Sequence, residues 1–405
     1  MQRSGHADLP LHGGRVPQWL ASRMSLLGTA IIESILSEYG RDEVLRRLSD
    51  PLWFQSLGCV MGMDWHSSGI TTSVMGALKR GINQRSRDYG LYICGGRGRH
   101  SRKTPDELMG IADRTGMDGH QLVRASKLTA KVDNTAVQDG FQLYLHSFVL
   151  SSDGNWAVVQ QGMNPAAGQA RRYHWHSPRI TSFVNNPHTA VCGESQGQIL
   201  NLVHQQAAAT RRGILDLSAL HPDQFGREVR KIVMPDHHDV RAADVDLKRM
   251  ASIIALAHEA RPEDFESLLL LRGLGPRTLQ SLTLVSEVIH GTPSRFDDPA
   301  RFSLAHGGKD GHPFPVPLAV YDETIEFLNS MLVRAKLGET DKRHAFKRLS
   351  KLAARQEERF DPDPERFNAW MEKERAWSPE YGGRTVFDDR RGNQRRHKGG
   401  QLSLF

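Results

Sequence analysis

An α+β fold, mostly α, is predicted by three observations. Apolar residues recur at helical spacing from Leu20 to about Ile82, the period changes to two between Gly140 and Gly162, and helical text resumes near Ser195 and runs with breaks to about Leu337. The expected architecture is a helical N-terminal region, a small central antiparallel sheet, a second helical region and a flexible basic C-terminal tail. With 405 residues the chain can build one large core or two to three ordinary ones without disulfide or metal staples.

In the first region, residues 1–95, the spacing of Ile32, Ile35 and Leu36 and then of Leu45 and Leu48 gives each helix one apolar face. The central region, residues 96–235, opens on the basic glycine loop Gly95 to Arg99. This loop lacks the Gly-Lys-Ser/Thr ending that a nucleotide phosphate needs, so no nucleotide or organic cofactor is expected. Thr104-Pro105-Asp106-Glu107 reads as a capping box that starts a helix. Phe141, Leu143 and Leu145 alternate with Gln142, Tyr144 and His146, and Ser152-Asp153-Gly154-Asn155 supplies a turn before Trp156, which makes a β-hairpin. A third region is assigned to residues 236–340 and a tail to 341–405, where Asp361-Pro362-Asp363-Pro364, Gly382-Gly383 and Gly399-Gly400 break regular structure.

Composition narrows the function. The net charge of +7 and a pI near 9.4 suit a polyanionic partner. Arg390, Arg391, Arg395, Arg396 and Lys398 concentrate positive charge in the last sixteen residues. Cys59, Cys94 and Cys192 are odd in number and far apart, which suits reduced thiols in the cytoplasm. The polar N-terminus and the lack of about 18 unbroken apolar residues disfavour secretion and membrane spanning.

Pro262-Glu263-Asp264 opens a short helix, and Arg272-Gly273-Leu274-Gly275-Pro276-Arg277-Thr278 follows it. The glycines permit a tight turn, and Pro276 at the first helical position starts a second helix whose free N–H groups can meet a phosphate. This segment resembles the helix-hairpin-helix of DNA-repair glycosylases, nucleases and ligases. The resemblance implies contact with the DNA backbone through Arg272, Gly273, Gly275, Arg277 and Thr278, indifferent to base sequence. At the C-terminus, Gln401-Leu402-Ser403-Leu404-Phe405 resembles the peptide that binds the bacterial sliding clamp. Gln401, Leu402, Leu404 and Phe405 would be its anchors, since exposed apolar residues in such a tail have no core to join.

Elsewhere the chain is similar to an uncharacterised prokaryotic family, domain of unknown function seven-six-three. The likeness covers about residues 1 to 335 and is carried by Leu9 to Gly14, Gly62 to Gly69, Ala130-Lys131-Val132-Asp133, Val158 to Asn164, Ala170 to Trp175 and Phe302 to Gly311. It implies no established activity.

Chemistry must therefore come from the residues. Lys131, Asp133, Asp139, His146 and Gln161, with Gln160, gather polar groups on or beside one hairpin. Asp133 and Asp139 could hold Mg²⁺ or Mn²⁺ for phosphodiester hydrolysis, with Lys131, Arg171 and Arg172 neutralising the phosphate. A structural hydrogen-bond network accounts for the same residues equally. Asp236-His237-His238-Asp239 reads as a solvated or capping loop rather than a metal site. A monofunctional glycosylase using Asp297 or Asp298 is the alternative, although capping by Asp298 before Pro299 also explains that pair. Arg277 stands where a lyase lysine would be and cannot form a Schiff base. The expectation is a clamp-recruited DNA-repair or replication protein, a metal-dependent nuclease before a glycosylase, or else a non-catalytic DNA-binding factor.

Overall fold

The computed structural model describes residues 18–63, 68–165, 168–231, 247–300 and 318–358. The chain begins with α1 (Gln18–Tyr39), α2 (Arg41–Leu48), α3 (Pro51–Val60), α4 (Gly69–Ile82) and the short α5 (Ser86–Tyr89), then enters β1 (Leu91–Arg97). Next come α6 (Thr104–Thr115) and α7 (Gly119–Lys131), and α7 passes through a π turn at Val132–Ala136 into β2 (Val137–Gln138). Four strands follow: β3 (Gln142–Ser151), β4 (Trp156–Asn164), β5 (Gln169–His176) and β6 (Ala190–Cys192); β7 (Leu200–Asn201) is a short fifth. The remainder is helical: α8 (Ala208–Ala219), α9 (Pro222–Lys231), α10 (Leu247–Ala260), α11 (Phe265–Leu269), α12 (Pro276–His290), α13 (Leu318–Arg334) and α14 (Glu339–Glu358).

The sheet has the order β1-β3-β4-β5-β6, antiparallel throughout, and lies between two helical layers. Alternation along each strand divides its side chains between them. Ile93, Val149, Val159 and Ala170 face the first layer, which holds α1 to α4. Cys94, Phe148, Val158, Tyr173 and Trp175 face the second, which holds α6 to α8 and α10 to α12. The fold is thus α+β, mostly α, as its periodicities predict.

The first layer is tight. α3 is buried along its whole length, and its start is set by Pro51 at N1 and by the Asp50 carboxylate, which accepts from the Leu52 and Trp53 N–H groups. A Cβ on Gly28 would meet Met61 and Leu78, and one on Gly81 would meet Thr29, so small residues let α1 lie against α4. By length and mean hydropathy α1 could cross a membrane, unlike the sequence expectation; here Met24, Leu27, Ile31 and Ile35 are buried in this core. α13 and α14 return to the same layer through Leu328, Met331, Leu332, Ala345 and Leu349. Residues 318–358, expected to divide between the third region and the tail, therefore belong with the N-terminal helices.

Two local expectations change. Gly95 to Arg97 end β1, opposite Ser147 to Leu145 of β3, instead of forming a loop. Glu107 does not close a capping box: it accepts from the Gly95 N–H and from Lys79, which fixes the strand end to α6. Gly95 has φ +81, and a Cβ there would meet the His146 carbonyl, so glycine is obligatory at this point.

Candidate functional site

A turn joins α11 to α12, and α11 begins at Phe265, so Pro262-Glu263-Asp264 precede the helix that the sequence has them open. Asp264 caps α11 by accepting from the Ser267 N–H, and Leu274 plugs the turn into the second core while Arg272, Gly273 and Arg277 stay exposed. Only one glycine is demanded by backbone geometry. Gly273 sits at φ +89; Gly275, at φ −122 and ψ 177, is an extended N-cap that any residue could adopt. No side chain caps α12, so the N–H groups of its first turn are left for an external acceptor. Thr278, expected beside the phosphate, is instead buried.

The turn is anchored from beneath by side chains that flank the π turn on either side. Lys131 Nζ donates to the Leu274 carbonyl at 2.6 Å and Gln138 Nε2 to the Pro276 carbonyl at 2.9 Å. Burial holds the Lys131 ammonium below the usual lysine range. Along α7, His120, Arg124, Lys127 and Lys131 follow at helical spacing, which puts a basic stripe on one face of the helix that supports the hairpin. Arg124 also donates to Glu266 of α11 at 3.4 Å.

Behind the π turn lies a directional chain of buried hydrogen bonds. Gln160 Nε2 donates to the Asp133 carboxylate and to the Thr129 carbonyl, which leaves its Oε1 as an acceptor. His146 Nδ1–H therefore donates to Gln160 Oε1 at 2.8 Å, and His146 Nε2 accepts from the Ser126 hydroxyl at 2.9 Å. Burial pushes His146 down to about 4, so the ring is neutral, as this order requires. Asp133 also accepts from Trp175 Nε1 at 2.9 Å and from His188 Nε2. Burial raises its pKa, against the opposing pull of His188. The chain fixes the segment from which Lys131 and Gln138 reach the hairpin.

Asp139 belongs to a second, separate cluster. Arg171 donates to Asp139 at 2.9 Å and to both oxygens of Asp298 at 2.9 and 2.8 Å, and the Tyr173 hydroxyl donates to Asp139 at 2.6 Å. Burial raises Asp139 to about 6 in spite of Arg171. Asp298 further accepts from the Gln196 and Ala300 N–H groups, and Pro299 and Ala300 after it are not helical. Asp297 lies 3.6 Å from His204.

The polar residues singled out in the sequence are thus dispersed. Asp133 and His146 share one network, Asp139 sits in another, and Lys131 serves the hairpin. Gln161 points to the opposite face of the sheet, where it donates to the Ser68 carbonyl and to Tyr144. Arg171 and Arg172 are fully buried, so neither reaches a phosphate on the surface. Arg172 donates instead to His174 and Gln55 in the first layer. The donor set also fits a divalent cation poorly: both oxygens of Asp133 and of Asp139 already accept hydrogen bonds, and a guanidinium lies against Asp139. Among the described residues no group of three or more His, Cys, Asp or Glu is placed to hold a metal. Ser126, Tyr173, Trp175, His188 and Glu266 complete these arrangements without any local sequence signal. Gln401 to Phe405, Asp236 to Asp239, Leu9 to Gly14 and Phe302 to Gly311 lie outside the described residues.

No curated protein and no solved structure matches the chain. One family does, described as protein of unknown function (DUF763), and it matches residues 5–316. This span is well over half of the 405 residues, and the chain belongs to that family.

Proposed function

We propose that the protein binds DNA in repair or replication by seating a backbone phosphate on the hairpin Arg272 to Arg277, and that residues Gln401 to Phe405 tether it to a bacterial sliding clamp. The observation that carries the reading is the exposed Gly273 turn, joined to an uncapped helix start and flanked by two exposed arginines. The basic stripe of α7 extends the same positive surface. Metal-dependent cleavage through Asp133 and Asp139 gains no support from their surroundings. A glycosylase role for Asp298 gains none either, because its carboxylate is committed to Arg171. The reading adopted is therefore a clamp-associated DNA-binding factor.

Anisotropy with unrelated duplexes tests the hairpin. Gly273→Val, which is strained at φ +89, should weaken every duplex by a similar factor, while Gly275→Ala should keep most of the affinity. Arg272→Ala and Arg277→Ala should each lower the slope of log affinity against log salt by about 0.9. Unchanged binding in a folded Gly273→Val protein sinks the reading. The tether has its own measurement: calorimetry with clamp should show binding by the full chain and none after truncation beyond Gly400.

A further inference from the structure

Between β1 and α6 the chain carries positive charge without a counter-charge. Residues 91–105 contain no Asp or Glu, and 3₁₀ turns at Gly98–Lys103 present Arg99, Arg102 and Lys103 to solvent. Among the described residues none of these three makes an ion pair or a side-chain hydrogen bond. Arg41, Arg46, Arg47 and Arg85, by contrast, each bind a carboxylate. The acids that follow, Asp106 and Glu107, open α6, and Glu107 is already bound to Lys79. The backbone beneath the three cations is fixed. Ser101 Oγ donates to the Gly98 carbonyl at 2.6 Å, Thr104 Oγ1 donates to the Ser101 carbonyl at 2.8 Å, and Gly98 takes φ +58. Like charges held together on a fixed backbone repel one another, and a polyanion seated on them relieves that repulsion.

The cluster lies at the same end of the second layer as the hairpin. α6 and α7 have nearly equal length, are joined by residues 116–118 and pack side by side. The start of α6 therefore stands beside the end of α7, where Lys131 reaches the Leu274 carbonyl. His146 shows how close the two are: a Cβ on Gly95 would meet both its carbonyl and Thr104 Oγ1, while its ring bonds Ser126 of α7. Packed helices stand about 8–10 Å apart, and with the reach of the lysine side chain this puts the basic turns roughly 15–20 Å from the hairpin. Along a duplex that is about five base pairs, at about 3.4 Å each. Lys127, exposed one turn before Lys131, adds a charge at the same end of α7.

We propose that Arg99, Arg102 and Lys103 form a second contact to the DNA backbone, so that the protein holds a duplex at two points instead of by the hairpin alone. The inference rests on the DNA-binding reading above. One phosphate on a turn fixes a position but no direction. Two anchors on one rigid layer fix the course of the duplex across the ends of α6 and α7, and they do so without reading a base.

The test titrates the full-length protein against a duplex of about 24 base pairs by anisotropy over a range of salt. A variant combining Arg99→Ala, Arg102→Ala and Lys103→Ala should lower the slope of log affinity against log salt by about 2.7, or about 0.9 for each phosphate, and weaken binding at least about tenfold at about 0.1 M salt. Arg97 is left in place because its guanidinium lies over the Tyr144 ring. Arg87→Ala, at an exposed arginine before the opposite end of β1, should change neither quantity. Circular dichroism confirms that the variants are folded. DNA binding with an unchanged slope in the triple variant overturns the second contact and leaves the hairpin reading intact. Absence of DNA binding by the wild type overturns both. A loss per charge as large in Arg87→Ala overturns the proposed placement, because overall charge alone would then account for the effect. Vesicles rich in phosphatidylserine that hold the wild type but not the triple variant, with DNA affinity unchanged, would assign the three cations to a membrane surface and overturn their role on DNA.

Discussion

Arg171 and Arg172 are neighbours on β5, equally buried, and point to opposite faces of the sheet. On the second face Arg171 meets two carboxylates, Asp139 and Asp298. Burial works to lower its pKa, but the two acids hold it above the usual guanidinium value. On the first face Arg172 meets only neutral groups in its hydrogen bonds, among them Gln55, His174 and the Pro51 carbonyl, and burial lowers its pKa. The difference teaches where the molecule places its order. The first face is an apolar core with a dipolar insert; the second is an ionic and directional scaffold that carries the hairpin.

The largest expected effect tests that contrast directly. Arg171→Met leaves two buried carboxylates uncompensated and should cost about 3–5 kcal/mol in urea unfolding at neutral pH. Arg172→Met strands only neutral acceptors and should cost about 1–3 kcal/mol. Equal losses would erase the distinction between the faces.

The second prediction uses acid. Asp139 has its folded pKa raised to about 6, so the folded state binds the extra proton; its contribution is complete below about pH 4 and is lost as pH rises through about 6. His146 and His176 are lowered to about 4, and their contribution is complete above about pH 6.5 and is lost as pH falls. The two groups oppose each other between about pH 4 and 6. Asp139→Asn removes one side of that balance, so the variant should lose stability more steeply on acidification than the wild type, by about 1–2 kcal/mol across the window. Parallel curves would place the acid response elsewhere.

Those scaffold residues show why the fold was legible and much of the site was not. Alternation announced β3 and β4, and helical spacing announced α1 to α4, because each buries one face. β5 reads Gln-Ala-Arg-Arg-Tyr-His-Trp-His and shows no apolar period, since its polar side chains are buried on both faces by partners distant in sequence. β1 was hidden by Gly95 and Gly96, which permit a close approach instead of making a loop. The turn between α11 and α12 was legible because its chemistry is local: one positive-φ glycine, one proline, two arginines. Asp133 and His188 lie 55 residues apart, and Asp139 and Asp298 are joined only through Arg171. No spacing rule encodes such pairings.

Lys131 is where the scaffold and the surface meet, and it gives the smallest expected effect. Its ammonium is half-buried and donates to the Leu274 carbonyl, so the residue can position the turn or touch a phosphate itself. The short bond to Leu274 and the burial that lowers its pKa favour positioning. Lys131→Met leaves that carbonyl without its donor and should cost about 1 kcal/mol of stability, read by urea unfolding. Amide exchange from Leu271 to Gly275 should quicken, because the turn loses its tie to the π segment. DNA affinity should fall about threefold while its salt slope stays that of the wild type, since a positioning residue releases no counterion. A slope lower by about 0.9 would instead make Lys131 a phosphate contact and move the edge of the interface inward from the hairpin onto α7.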